Sequence, residues 1–103
     1  MFEIYKLEDD RTGVKIIGEI DISTVEVFQN PIKEMIEGDD KQIYLDVTDL
    51  KYIDSTGIGI LIELRKESIV KKQEIILINP QKNVMKLLQL TGVDKIFNIR
   101  EEN

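Results

Sequence analysis

The sequence predicts an α/β domain with a small mixed, largely parallel sheet, an N-terminal hairpin and crossover helices. Three observations point there. Two apolar runs near the start are joined by a polar turn ending in Gly13. Beyond residue 20, β-branched runs alternate with segments of helical period. Such alternation favours parallel pairing through right-handed crossovers. The 103 residues are expected to form one domain, 1–103.

Phe2 to Leu7 mixes apolar Phe2, Ile4, Tyr5 and Leu7 with charged Glu3 and Lys6, as in a half-exposed strand. Glu8 to Gly13 is the turn, and Val14 to Ile20 the second strand. Ser23 and Glu26 have the spacing of a capping box. The helix that follows places Val25, Phe28, Ile32, Met35 and Ile36 on one face. Pro31 predicts a kink or break near Asn30, and Gly38 a stop. Gln42 to Val47 is apolar enough for a central strand, with Thr48 to Ile53 as a bridge.

A helix is expected from about Thr56 to Lys72, capped by Ser55. Its apolar residues are Ile58, Leu61, Ile62, Leu64, Ile69 and Val70, and the wide apolar arc near its start implies burial on more than one side. Glu74 to Asn79 is the fourth strand, ended by Pro80. Gln81 to Leu90 is amphipathic, with Val84, Leu87, Leu88 and Thr91 on one face and Gly92 at its end. Val93 to Ile99 reads as a short strand or turn, and Arg100 to Asn103 as a tail.

Composition removes several chemistries. There is no Cys and no His. Thiolate zinc sites, Ser-His-Asp catalysis and imidazole bases are therefore excluded. No cofactor or metal is expected. The net charge of −6 argues against nucleic acid and suits a basic protein partner or plain solubility. No run approaches the ~18 apolar residues of a membrane span, and the start lacks a signal-peptide pattern. A cytoplasmic location is expected.

The chemistry concentrates in Asp54-Ser55-Thr56-Gly57-Ile58-Gly59, a polar turn between a strand and a helix. Loops at the carboxyl ends of parallel strands carry function in such folds, and Asp21-Ile22-Ser23 is a second one. The two loops are expected near each other. Ser55 has three readings: a helix cap, a nucleophile, or an acceptor of phosphate. A nucleophile needs a base that no motif supplies. Gly57 and Gly59 lack the Walker lysine and the full dinucleotide-binding pattern. A phosphate on Ser55 would add about −1.5 to −2 charge beside Asp54, repelling any docked partner.

Leu45-Asp46-Val47-Thr48-Asp49-Leu50, with Tyr52-Ile53-Asp54-Ser55-Thr56-Gly57-Ile58-Gly59-Ile60-Leu61, closely resembles the signature of the STAS domain. This is the family of bacterial anti-sigma-factor antagonists. Gly18-Glu19-Ile20-Asp21 resembles its second motif, and Leu90 to Phe97 its C-terminal one. The resemblance spans nearly the whole chain, and Pro31 is its clearest departure.

What the resemblance implies is a non-enzymatic partner switch. The unmodified form would bind an anti-sigma factor with serine kinase activity, releasing a sigma factor. Phosphorylation at Ser55 would block binding, and a PP2C-type phosphatase would restore it. Thr56 is an additional or alternative acceptor. Asp21, Ser23, Asp54, Ser55, Thr56, Gly57 and Ile58 would form the docking surface. The alternative within the family is a non-switching scaffold subunit of a stress-signalling complex. A hydrolase using Ser55 is a third possibility, motivated only by a serine beside a carboxylate.

Overall fold

The opening hairpin sets one edge of the sheet. In the computed structural model, which describes residues 1–103, β1 (Phe2–Lys6) and β2 (Gly13–Ile20) pair antiparallel. β3 (Gln42–Ile53), β4 (Glu74–Ile78) and β5 (Asn98–Arg100) then add in parallel, each beside its predecessor. The strand order is β1-β2-β3-β4-β5. Every crossover steps the same way, so right-handed connections put α1 (Val25–Glu37), α2 (Ser55–Val70) and α3 (Lys82–Leu90) on one face. This is the mixed, largely parallel α/β architecture expected from the pattern.

The core lies between that face and the helices. Phe28, Ile32 and Ile36 of α1, Ile58, Leu61 and Leu64 of α2, and Val84 and Leu88 of α3 meet Ile16, Ile20, Leu45, Ile53 and Leu77 in one cluster. Each such side chain contributes about 1.5–3 kcal/mol by leaving water. Ile76 and Ile78 are also buried but lie outside the cluster, because strand alternation turns them to the opposite face. Tyr44 points the same way. Arg11 lies 4.7 Å from its ring centroid and donates two hydrogen bonds, 2.9 and 3.0 Å, to the Glu102 carboxylate. Glu102 and Asn79 exchange backbone–side-chain hydrogen bonds at 2.7 Å. The chain end is thus tied to the β1–β2 turn.

Several local expectations need correction. β3 does not end at Val47; Thr48 to Ile53 continue it. Its register against β2 shifts twice, between Lys15 and Ile17 and between Gly18 and Glu19. These bulges insert extra residues into β3 and break its inward–outward alternation, which disguised the strand. Gly18 allows the second shift. It sits at φ +100°, and a Cβ there would lie 2.1 Å from the Met1 carbonyl oxygen.

Pro31 does not break α1, which runs unbroken from Val25 to Glu37. Proline removes one donor, but Phe28 and Ile32, both 0 % exposed, anchor the helix on either side. Lys71 Nζ and Gln73 Nε2 donate to carbonyl oxygens at its end, Glu37 and Gly38 for the lysine and Gly38 for the glutamine. The Ser23–Glu26 capping box does not form: Thr24 is the N-cap and makes no side-chain cap bond. Ser23 turns back to Asp21 instead.

Val93 to Ile99 resolves into a 3-10 turn, Val93–Lys95, followed by β5, which takes in Arg100 from the expected tail. Thr91 does not join the apolar face of α3. It is exposed at the C-cap, its hydroxyl donating to the Leu87 carbonyl at 2.9 Å. Ile69 and Val70 are exposed at the far end of α2.

Candidate functional site

The two register shifts have a functional consequence. They bring Ile53, the last residue of β3, level with Ile20, the last residue of β2. The Asp54 amide donates to the Ile20 carbonyl at 3.0 Å, so the loops starting at Asp21 and Asp54 emerge side by side. The expected adjacency of the two loops is what the fold delivers.

Asp54, not Ser55, caps α2. Its Oδ1 accepts from the Gly57 amide at 2.9 Å, and its backbone oxygen accepts from the Ile58 amide at 3.0 Å. Two cap-forming residues stand in succession, and the extended backbone at Asp54, φ −92° and ψ −178°, is the N-cap conformation. Ser55 falls one position inside, as the first helical residue. Its side chain is exposed and takes part in no hydrogen bond within the chain. Thr56, next to it, is exposed as well.

Gly57 is required by packing. A Cβ there would lie 2.7 Å from Ile20 Cγ2 and from Ile53 Cγ1. Its absence lets the first turn of α2 settle onto the two strand ends. Ile58, 7 % exposed, belongs to the core cluster. Gly57 and Ile58 therefore position the surface from beneath, while Ser55 and Thr56 form it. Gly59 meets nothing within 4 Å.

The neighbouring loop is held by its own polar atoms. Ser23 donates to Asp21 Oδ1 from its amide at 2.9 Å and from its hydroxyl at 2.6 Å. These bonds hold the Asp21 carboxyl below the usual carboxylate range, the hydroxyl bond contributing most. The Thr24 hydroxyl accepts from the Asp21 amide at 2.9 Å and donates to the Glu19 carbonyl at 3.0 Å. Ile22 stands at the tip of this loop, 78 % exposed. The sequence pattern alone does not single it out. An aliphatic residue between Asp and Ser in a turn was the available signal. Tyr52, near the end of β3, is also 45 % exposed.

Ser55 Oγ makes no hydrogen bond to a lysine or carboxylate. An acceptor of phosphate needs only exposure. The first amides of a helix have no intrahelical partners, and the helix dipole favours an anion there. The fold and site thus define a small α/β domain with an exposed hydroxyl between two loops at one end of its sheet.

The chain belongs to the STAS domain family, whose family model matches residues 2–102. It is 29% identical over 105 residues to the anti-sigma-B factor antagonist of Listeria monocytogenes, covering 95% of this chain and 86% of that one. It is 25% identical over 94 residues to the protein of the same name from Staphylococcus aureus, covering 91% and 87%. Among solved structures it is similar to the anti-sigma factor antagonist SpoIIAA in its unphosphorylated form. There the TM-score is 0.78 and the identity 25%, over 100% of this chain and 89% of that one.

Proposed function

We propose that this protein is an anti-sigma-factor antagonist that works by partner switching. Its unmodified form binds an anti-sigma factor with serine kinase activity, and a sigma factor is released. Phosphorylation of Ser55 blocks that binding, and a PP2C-type phosphatase reverses it. The chain itself catalyses nothing; it is substrate and ligand. Asp21, Ser23, Asp54, Ser55 and Thr56 contribute the docking surface, supported by Gly57 and Ile58 beneath. The exchange takes place in the cytoplasm, without direct contact to nucleic acid or membrane. No helix is long and apolar enough to cross a membrane.

The observation that carries the proposal is the exposed Ser55 hydroxyl, released from capping by Asp54. A kinase can take it without unmaking the helix start. The added charge of about −1.5 to −2 would then stand beside Asp54 and Asp21 in the contact area. Names and titles of the relatives support the class: antagonists of anti-sigma factors, with SpoIIAA described by its phosphorylation state.

Incubation of the chain with its anti-sigma kinase and ATP, followed by peptide mass spectrometry, tests the modification. One phosphate on Ser55 is expected, and none on the Ser55→Ala chain. Phosphate confined to Thr56, or no phosphate at all, contradicts the switch.

A further inference from the structure

We propose that Ile22 is the apolar anchor of the docking surface, filling an apolar pocket rimmed by Lys or Arg on the anti-sigma factor. The anchor role rests on the antagonist function proposed above and names the contact that would dominate it.

Ile22 is 78 % exposed, at the tip of the loop beside the start of α2. Turn geometry does not require an isoleucine there. The loop is held by Asp21, Ser23 and Thr24 through side-chain and backbone hydrogen bonds, and Ile22 contributes no side-chain bond to it. Its backbone is therefore ordered before any partner arrives. A branched aliphatic on a preorganised loop loses little entropy on docking, which is how a single side chain becomes energetically dominant in an interface.

The surroundings indicate what receives it. Asp21 adjoins Ile22, Asp54 opens the neighbouring loop, and the exposed Glu26 lies in the first turn of α1. The Asp21 carboxyl is held in its charged form. The chain as a whole carries −6. An apolar side chain with carboxylates on its own loop and on the adjoining segments complements a pocket with a cationic rim. A second copy of this acidic chain would bring like charges together. The same geometry strengthens the switch: a phosphate on Ser55 would have to lose its water next to an apolar contact, which disfavours docking beyond charge repulsion alone.

Calorimetric titration of the purified anti-sigma factor into the wild-type, Ile22→Ala, Ile22→Leu and Asp21→Asn chains, at low and high salt, tests the anchor. Ile22→Ala is expected to weaken binding about 10- to 30-fold, with the salt dependence unchanged. Ile22→Leu, of similar volume, should stay within about threefold of wild type. Asp21→Asn should lower the salt dependence. Circular dichroism should show both Ile22 variants folded, since the side chain lies outside the core. Wild-type binding that Ile22→Ala leaves unchanged overturns the anchor alone. Absence of wild-type binding overturns the antagonist function. Self-association of the free chain that Ile22→Ala abolishes assigns the residue to a second copy and overturns the anchor.

Discussion

The carboxylate of Asp54 accepts a hydrogen bond from the amide of Gly57 at 2.9 Å, and this one contact caps the start of α2 without Ser55. Asp54 satisfies the helix start and Ser55 is left outside that duty. Asp54→Ala should cost about 1 kcal/mol of unfolding free energy. Ser55→Ala should change it by less than about 0.5 kcal/mol. Urea denaturation of the two variants makes the comparison. An equal loss in both would return the capping role to Ser55.

Gly57 and Gly59 look alike in the sequence and differ in the fold. Gly57→Ala would drive a methyl into Ile20 and Ile53 at 2.7 Å. A destabilisation of about 1–3 kcal/mol is expected, because two strand ends must move. Gly59→Ala meets nothing within 4 Å and should stabilise the helix by up to about 1 kcal/mol. Thermal melts of the pair report both signs at once.

Pro31 lies inside a helix that packing keeps intact. Pro31→Ala restores a donor to α1 and should raise stability by about 1–3 kcal/mol without altering binding at the start of the helix. A lower melting temperature for this variant would mean that the helix is built around the proline's shape.

The Asp21 carboxyl should titrate below the usual carboxylate range, because Ser23 donates to it from hydroxyl and amide. A carboxyl held low in the folded state binds its proton less readily there than in the unfolded chain. Its stabilisation is complete above the unfolded carboxylate value and is lost as pH falls through the folded one. Loop order at Asp21 should therefore be constant at neutral pH and decline only in acid. Carbon-detected NMR titration of Asp21 reads the midpoint, and Ser23→Ala should move it upward.

Much of this fold is legible from alternation alone. The hairpin, the order of strands and helices and the adjacency of the Asp21 and Asp54 loops all follow from pattern and crossover handedness. What escaped did so for local reasons. Thr48 to Ile53 lost their strand signature because two bulges reset the alternation against β2. The cap of α2 is ambiguous in sequence because Asp54 and Ser55 are both good caps, and only the backbone angles choose between them. The Ser23–Glu26 spacing fits a capping box, yet Asp21 offered Ser23 a nearer acceptor. Ile22 carries no periodic signal at all; its exposure appears only once the turn around it is built.

The central claim is that one hydroxyl controls docking. Binding of the purified anti-sigma factor to the unmodified chain and to the same chain stoichiometrically phosphorylated on Ser55, measured by calorimetry at one salt concentration, tests it most directly. At least a 100-fold weaker affinity for the phosphorylated chain is expected, about 2.7 kcal/mol, with the circular dichroism spectra superimposable. Equal affinity for the two forms would contradict the switch.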